Sequence, residues 1–309
     1  MLIHKGYENL KLGNPVVTLG IFDGVHLGHM ALLDRLVSCA KEENGEAVVI
    51  TFFPHPRIVL DKDSSSLTFL TTMEEKITLL ARANIDHLIV IEFNREFSRI
   101  SACDFVKEVL LEKIGTKHLI IGFNHHFGRK GEGDFNTVKQ CTESLDFKVE
   151  QVAGLLSDGS AVSSSLIREA LIQGRLEEAN KLLGYFYSVN GTVIEGRRLG
   201  RSIGFPTANI NPADQHKLIP CKGVYAVEVN LGGKVYPGML SIGSNPTVNN
   251  DSGLRSIEVH ILNFEGDIYG SSISVVFRKR LRDEIKFDSI KKLAQQMELD
   301  KQSTISLFS

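Results

Sequence analysis

Hydrophobic and polar positions follow one pattern from Leu2 to about Leu183 and a different one beyond it. In the first part, short runs of consecutive apolar residues alternate with amphipathic runs at helical spacing. Apolar strands separated by helices predict a parallel sheet that is covered by helices on both faces. The expected strands are residues 16–19 (taken as the first strand), 47–52, 87–93, 117–122 and 147–152, and the expected helices include residues 72–83, 101–114 and 135–145.

The pattern changes after a short predicted helix, Leu176–Leu183, and the glycine that ends it, Gly184. Beyond this point strand signals recur with hairpin turns between them, which is typical of an antiparallel sheet. We therefore predict two domains: residues 1–184 with a Rossmann-like α/β fold, and residues 185–309 forming a small closed β-barrel with a carboxyl-terminal helix. The expected strands are residues 224–231, 234–242, 257–264 and 273–282, and the expected helix is residues 289–297.

Composition and charge narrow the class of protein. The 309 residues are 42% hydrophobic and 23% charged, as in ordinary globular proteins, and no apolar run approaches the ~20 residues of a membrane span. The formal net charge of -2 offers no general field for nucleic acid. Four scattered cysteines without Cys-x-x-Cys spacing argue against a zinc ribbon or a disulfide scaffold. We expect a cytoplasmic protein, monomeric or weakly self-associating, that binds small molecules rather than nucleic acid or membranes.

The richest stretch of the first half is the turn that leaves the first expected strand, residues 20–29, with the sequence GIFDGVHLGH. Gly24 and Gly28 allow the backbone to approach a ligand closely. The helix that follows supplies unpaired N–H groups and the positive end of its dipole, which suit phosphate. His26 and His29 lie on one face of its first turn and can donate hydrogen bonds to phosphate oxygens. A His-x-x-His pair alone is also typical of a zinc site.

Three further motifs follow strands or begin helices, which is where open parallel sheets bind ligands. TFFPHP at 51–56 predicts a stiff extended loop, either a wall for an aromatic ligand or a plain strand exit. IGFNHHFGRKG at 121–131 offers Asn124 for a ribose or base edge, and its adjacent histidines lack an acidic or cysteine partner for a metal. VSSSLIR at 162–168 offers hydroxyls and Arg168 for phosphate, although a serine run is usually only a helix cap.

These four strings resemble, in order, the motifs of the bacterial FAD synthetase family, whose first motif is an HxGH nucleotidyltransferase signature. The resemblance implies that ATP and Mg2+ bind and that an adenylyl group passes from ATP to FMN, with His26 and His29 as catalytic residues. Asn124 stands where many relatives have Asp, and VSSSLIR replaces the more usual ISSTxIR. The implied ATP-binding residues are Gly20, Phe22, Asp23, His26, His29, Asn124, Ser164 and Arg168, and the implied FMN-binding residues are Pro54, His55 and Pro56.

The second half contains one glycine-rich stretch, residues 191–210. Its segment from Gly196 to Ser202 is similar to a P-loop, but the spacing is one residue short and Pro206 would disrupt the helix that must follow. A glycine-rich corner of a barrel is a second interpretation. The string GRSIGFPTANI instead resembles the signature of riboflavin kinases. That resemblance implies that ATP and Mg2+ are bound by Gly200, Gly204, Pro206, Thr207 and Asn209, with Thr207 and Asn209 as oxygen ligands of the metal.

Alternation along residues 257–262 places Glu258 and His260 on one face of a strand, opposite the apolar residues. A carboxylate there is as readily a surface residue as a catalytic one. The resemblance to riboflavin kinases implies that Glu258 is the general base that takes the proton of the riboflavin hydroxyl as it attacks the γ-phosphorus of ATP. It also implies that Glu258 and Arg282 border the riboflavin site.

Together the two resemblances predict a bifunctional enzyme that phosphorylates riboflavin to FMN and converts FMN to FAD. One alternative is another adenylyltransferase with an HxGH motif, and the riboflavin kinase-like half argues against it. The other alternative is a flavin-binding regulatory protein that has lost turnover. Retention of the polar residues that both reactions require argues against this second alternative, namely His26, His29, Thr207, Asn209 and Glu258.

Overall fold

The structure, a computed structural model, describes residues 1–61, 63–157, 159–196, 204–244 and 255–308. Two compact units are present, Met1–Ser164 and Ser165–Ser309. The boundary near Gly184 stays a prediction.

The first unit is built on a six-stranded sheet in the order β1-β4-β3-β2-β5-β6, and every strand pair in it is parallel. Helices connect the strands, as the alternating pattern predicts, so the α/β interpretation is confirmed. The strands are β1 (Leu2–Lys5), β2 (Val16–Leu19), β3 (Ala47–Phe53), β4 (His87–Glu92), β5 (His118–Gly122) and β6 (Lys148–Val152). The helices are α1 (Leu27–Glu42), α2 (Pro56–Leu60), α3 (Met73–Leu80), α4 (Ala102–Asp104, continued by π-helical turns over Phe105–Ile114) and α5 (Phe135–Thr142).

The sequence interpretation missed β1, so Val16–Leu19 is the second strand and not the first. β1 lies at the edge of the sheet, paired only with β4, and its side chains are mostly exposed. An edge strand with exposed side chains lacks the continuous apolar run by which the buried strands were recognised.

Both faces of the sheet are buried, because successive side chains of a strand point to opposite faces. On β2, Val17 and Leu19 pack into one hydrophobic cluster, whereas Val16 packs into another. All four side chains of this central strand are buried. The predicted covering of the sheet on both faces is therefore confirmed.

One disulfide lies in this unit, between Cys103 on α4 and Cys141 on α5, with Cα atoms 5.7 Å apart. The two residues are 38 positions apart, and cysteine spacing did not reveal the pair. Tertiary packing of two helices brings them together, which no local pattern encodes. Cys39 and Cys221 have free thiols.

The second unit contains a closed antiparallel barrel in the strand order β10-β13-β12-β11-β14-β9, and pairing of β9 with β10 closes it. The predicted barrel is confirmed. Its strands are β9 (Ser188–Ile194), β10 (Ala208–Pro212), β11 (Gly223–Leu231), β12 (Lys234–Ser244), β13 (Arg255–Ile261) and β14 (Ser272–Arg282). A short hairpin, β7 (Leu156–Ser157) with β8 (Ser160–Ala161), ends the first unit, and helices α6 (Ser164–Ile172), α7 (Leu176–Leu183) and α8 (Ile290–Phe308) complete the chain.

Two strands of the barrel, β9 and β10, were absent from the sequence interpretation. Gly191 interrupts the strand signal of β9, yet a Cβ atom there would lie 2.3 Å from the carbonyl oxygen of Asn211 on β10. A glycine is therefore needed where the two closing strands approach each other.

The last helix, α8, continues to Phe308, whereas the sequence predicted an end at residue 297. Its buried positions beyond that point are polar, Asp300 and Thr304, so the apolar period fades while the helix continues. The Thr304 hydroxyl donates to the carbonyl oxygen of Asp300 at 2.8 Å.

Candidate functional site

The turn from β2 into α1, residues 20–29, holds two histidines against each other at a helix start. His26 is the N-cap of α1, and its Nδ1 accepts from the backbone N–H of His29 at 3.3 Å. The two rings stack with centroids 3.7 Å apart and planes 17° apart. Because Nδ1 of His26 accepts this bond, the ring N–H lies on Nε2. We call residues 20–29 the opening turn.

His29 is the least satisfied group of the opening turn. Its Nδ1 is buried and has no hydrogen-bond partner. Burial lowers the pKa of His29 well below its ordinary value, and the nearby groups His26, Lys76 and His125 lower it further. The ring is therefore neutral at pH 7, and its free nitrogen is ready for a polar ligand.

The backbone of the opening turn adopts left-handed conformations, and packing of its side chains in the core stabilises them. Phe22, Gly24 and Val25 have φ of 51°, 83° and 36°. Phe22 and Val25 are both only 2% exposed. Their buried side chains anchor the turn, so the core stabilises a conformation that isolated residues disfavour.

Asp23 and Ser164 fasten the opening turn to neighbouring segments. Asp23 is buried, and its Oδ1 accepts from the backbone N–H groups of Leu70 at 2.9 Å and Thr71 at 3.1 Å. The Ser164 hydroxyl donates to the carbonyl oxygen of Asp23 at 2.8 Å. The sequence placed both residues in an ATP site, and in the structure these bonds shape the turn.

Two glycines of the opening turn, Gly20 and Gly28, lie where an added Cβ atom would contact its neighbours tightly. A Cβ atom at Gly20 would come 3.1 Å from the Phe22 ring. One at Gly28 would come 3.2 Å from the His26 ring and 3.3 Å from the carbonyl oxygen of Val162. Gly28 therefore permits the stacked position of the histidines.

Beside the opening turn, a cavity of about 660 Å³ is lined largely by aromatic rings, and we call it the aromatic cavity. Five phenylalanines line it. Phe52 and Phe127 stand within the predicted motifs at 51–56 and 121–131, although neither was assigned to a site, and the other three were missed. The phenylalanines are Phe52, Phe93, Phe97, Phe105 and Phe127, and the other lining residues used below are Gly20, His55, Pro56 and His125.

Residues 51–56 do not form the extended loop expected from the sequence. His55 caps helix α2, with its Nδ1 accepting from the Arg57 N–H at 3.1 Å, and Pro56 is the first residue of that helix. A proline fits there because its missing N–H would have no helical partner. His55 also stacks on Phe69 with centroids 4.1 Å apart, so His55 and Pro56 still form a stiff wall of the aromatic cavity.

Asn124 follows β5 and is exposed, next to His125, which lines the aromatic cavity. Nε2 of His125 is buried without a hydrogen-bond partner, and burial lowers the pKa of His125 to about 4. Pro54 is not among the lining residues.

Arg168 lies on α6 and belongs to the second unit, where it donates to the Ser165 hydroxyl at 3.4 Å. The joint action of Arg168 and the histidines stays a prediction.

In the barrel, three predicted residues come together: Glu258 on β13, Asn209 on β10, and Thr207 immediately before β10. The Thr207 hydroxyl donates to Oε2 of Glu258 at 3.2 Å, and Asn209 is the register partner of Glu258. Buried Ile257 and Val259 alternate with the partly exposed Glu258, which confirms the predicted face of the strand. Glu258 therefore lies beside two oxygen-bearing side chains.

The segment before Thr207 is also bound to β13. Nδ1 of His260 donates to the carbonyl oxygen of Pro206 at 2.7 Å, and the ring contacts Phe205 edge-on. Burial lowers the pKa of His260, so the ring is neutral at pH 7. A Cβ atom at Gly196 would come 1.9 Å from Nδ2 of Asn209, so that glycine makes room for the amide.

Gly204 has φ of 83°, a conformation that favours glycine. Gly200 lies outside the described residues. A cavity of about 480 Å³ opens beside Pro206 and Thr207, and residues 264–269 form its far wall. The sequence interpretation did not include that wall.

Arg282 is held in an ion pair with a helix of the same unit. Its Nε and Nη2 donate to the carboxylate of Asp300 on α8, at 3.0 Å and 2.7 Å. This pair fastens the end of β14 to α8, and contact of Arg282 with riboflavin stays a prediction.

One other cluster has a metal-like composition, Cys39, Glu43 and His118. Nδ1 of His118 lies 3.1 Å from both the Cys39 sulfur and Oε1 of Glu43. The same Glu43 oxygen pairs with the Lys148 ammonium group at 2.9 Å. The cluster lies at the amino end of β5, away from the ligand-binding end of the strands, and we interpret it as an ion-pair network.

Two family models match the chain, and they match different halves. Residues 9–166 match FAD synthetase, and residues 183–308 match riboflavin kinase. The bifunctional riboflavin kinase/FMN adenylyltransferase of Listeria monocytogenes is 40% identical over 296 residues, which cover 96% of this chain and 93% of the relative. The protein of that name from Escherichia coli K12 is 37% identical over 313 residues, covering 100% and 98%.

A solved structure, named as a macrolide-efflux protein from Streptococcus pneumoniae, has a TM-score of 0.88 and 30% identity and covers 98% of both chains. Within the described residues, no helix combines the length and apolar character needed to cross a bilayer. Because both halves match in this order over nearly the whole length, the chain belongs to the family of bifunctional riboflavin kinase/FMN adenylyltransferases, enzymes that make FMN from riboflavin and FAD from FMN.

Proposed function

We propose that FMN adenylylation takes place at the opening turn and riboflavin phosphorylation at Glu258. The observation that carries the first assignment is the stacked pair His26 and His29 at the start of a 16-residue helix, with an unpaired buried nitrogen on His29. The observation that carries the second is the contact between the Thr207 hydroxyl and the Glu258 carboxylate.

In the adenylyltransferase, ATP binds with its phosphates at the N-terminus of α1. A phosphate oxygen of FMN attacks the α-phosphorus of ATP, and the bond to the β-phosphate oxygen breaks, so that pyrophosphate leaves. His26 and His29 donate hydrogen bonds to phosphate oxygens as negative charge shifts toward pyrophosphate. Ser164 and Arg168 hold the pyrophosphate end, and Asn124 binds the nucleoside. No covalent intermediate with the protein forms, because alignment and charge stabilisation suffice.

The aromatic cavity is our candidate for the FMN ring site. Its phenylalanines and His55 offer flat surfaces against which an isoalloxazine ring can stack. Its volume, about 660 Å³, is within the range of cofactor pockets. Gly20 belongs both to the lining of this cavity and to the opening turn, so a ring bound there would have its phosphate end near the histidines.

In the kinase, the Glu258 carboxylate takes the proton of the terminal ribityl hydroxyl of riboflavin, and the resulting oxygen nucleophile attacks the γ-phosphorus of ATP. ADP leaves with the electrons of the broken bond. The cavity beside Pro206 and Thr207 is the candidate ATP site. Arg282 borders the flavin by its place at the end of β14.

The donors in the kinase site fit Mg2+, which prefers hard oxygen ligands. The hydroxyl of Thr207 is next to a carboxylate, and Asn209 contributes an amide oxygen at the register position of Glu258. Thr207 and Asn209 would hold the ion. When bound, Mg2+ neutralises phosphate charge and so makes the γ-phosphorus more open to attack.

Incubation of the protein with riboflavin, ATP and Mg2+, followed by chromatography of the flavins, tests these assignments. We expect FMN to accumulate first and FAD to follow. His29→Ala should stop the reaction at FMN, and Glu258→Gln should prevent FMN formation while supplied FMN is still converted to FAD. If either variant affected both steps equally, the assignment of two separate sites would be wrong.

A further inference from the structure

Within the described residues, the buried ammonium group of Lys76 has no hydrogen-bond or ion-pair partner. Lys76 lies on α3, immediately after Glu75 of the capping box that Glu75 forms with Thr72, and is 6% exposed. Its backbone N–H donates to the carbonyl oxygen of Thr72 at 3.0 Å within the helix. Lys217, the other buried lysine of the described chain, lies over the Tyr187 ring at 4.4 Å. Burial of an ammonium group without partners is costly, so the position of Lys76 calls for an explanation.

The first turn of α3 is connected directly to the opening turn. The two backbone N–H groups that bind Asp23 come from residues 70 and 71, immediately before the cap of α3. In return, the Gly24 N–H donates to the Thr71 hydroxyl at 3.1 Å. These bonds hold Lys76 beside the opening turn, and the titratable groups that interact with it there are Asp23 and His29.

The Asp23 carboxylate compensates only part of the cost of burying the Lys76 ammonium group. Its Oδ1 already accepts two backbone hydrogen bonds and one from the Thr71 hydroxyl at 3.4 Å. Burial lowers the pKa of Lys76 to about 8 in spite of Asp23, so the carboxylate compensates only part of the desolvation. Lys76 in turn lowers the pKa of His29, because an ammonium group near the ring disfavours its protonation.

An incompletely compensated cation next to further hydrogen-bonding groups becomes favourable when a polyanion binds among them. The ammonium group of Lys76 and the rings of His26 and His29 form such a set at the start of α1, where the helix dipole adds positive charge. A triphosphate would supply acceptors for the Lys76 ammonium group and would favour its protonated form.

We propose that Lys76 is a further phosphate-binding residue of the adenylyltransferase, and that its ammonium group contacts the triphosphate of ATP beside His29. The inference rests on the proposed position of ATP at the opening turn. Lys76 is not among the lining residues of the aromatic cavity, so we assign it to the triphosphate and not to the FMN ring.

Steady-state FAD synthesis by the full-length Lys76→Met variant tests this role, with ATP and FMN varied separately. We expect kcat/KM for ATP to fall about 10- to 100-fold, as for loss of a hydrogen bond to a charged group, and the KM for FMN to change by less than about two-fold. Lys76→Arg, which keeps the charge, should recover most of the loss. Lys139→Met, at an exposed lysine of α5, is the matched control and should leave the kinetics unchanged.

Circular dichroism and the melting temperature of a fragment ending at Ser164, compared between wild type and each variant alongside the full-length proteins, report folding of the first unit. Wild-type ATP kinetics in Lys76→Met, or equal losses for ATP and FMN without recovery in Lys76→Arg, would overturn the proposal. If the first unit of Lys76→Met were misfolded, Lys76→Gln would replace it, and misfolding of both would assign Lys76 a structural role and also overturn the proposal. His29→Ala tests the position of ATP independently of Lys76. If this variant left FAD synthesis intact, the assignment of ATP to the opening turn would be wrong.

Discussion

The hydroxyl of Thr207 donates to Oε2 of Glu258 at 3.2 Å, although the two residues are 51 positions apart in the chain. Pairing of β10 with β13 creates this contact, since Ala208 and Asn209 are the register partners of Val259 and Glu258. The carboxylate is thereby held beside the residues that we assign to Mg2+.

Glu258→Gln should lower the rate of riboflavin phosphorylation by about 100-fold or more, because an amide cannot take the hydroxyl proton. Gln keeps the size of the side chain and can still accept from Thr207, so the barrel should remain folded. The measurement is FMN formation from riboflavin at saturating ATP and Mg2+. Phosphorylation at the wild-type rate would contradict the role of Glu258 as base.

His29→Ala should lower FAD formation by about 100-fold or more, the effect of removing a donor to developing charge. The riboflavin kinase rate should stay within about two-fold of wild type, because Glu258 lies in the other unit. Chromatographic assay of both products in one reaction measures the two rates together. A parallel loss of FMN formation would refute the separation of the sites.

Acid should destabilise the first unit through its buried histidines. The pKa of His125 is lowered from 6.5 to about 4 in the folded protein, so the unfolded chain binds a proton first as the pH falls. Stability is therefore full above pH ~6.5 and decreases as the pH falls toward about 4. His125→Phe removes this group, and its melting temperature without nucleotide should fall less between pH 7 and pH 5 than that of the wild type. Equal decreases would exclude a contribution from His125.

Asp300→Asn should destabilise the second unit by about 3–5 kcal/mol, because the mostly buried Arg282 guanidinium would lose its carboxylate. Asp288→Asn is the matched control, since its ion pair with Lys292 is exposed and worth less than about 1 kcal/mol. Urea unfolding of the full-length variants provides the comparison. Similar free energies of unfolding for the two variants would contradict the buried pair as a stabilising contact.

The place where the chain can be divided is a prediction in its own right. A fragment that starts at residue 185 would lack α7, whose Asn180 donates to the carbonyl oxygen of Phe277 at 3.2 Å and accepts from the Tyr187 N–H at 2.8 Å. We expect it to retain riboflavin kinase activity, with a lower melting temperature than a fragment that starts at residue 165. An inactive or insoluble fragment from residue 185 would refute the boundary near Gly184.

The sequence by itself determined that the sheet of the first half is parallel and that of the second half is antiparallel. It also located the motifs of each half. Consecutive apolar residues in β2, β3 and β5 required burial on both faces, and alternation in β13 fixed the face that carries Glu258. The motifs also sufficed to identify the family, because residues that shape a phosphate-binding turn are close together in the chain.

Only the tertiary structure decided which distant groups meet. The edge strand β1 and the closing strands β9 and β10 lack a strong local pattern, since their pairing depends on neighbours far away in the sequence. The same holds for the phenylalanines of the aromatic cavity and for the buried Lys76, whose helix is joined to the opening turn by bonds that span 47 and 48 residues. Burial and partnership are properties of packing, and a single sequence encodes them only through the whole fold.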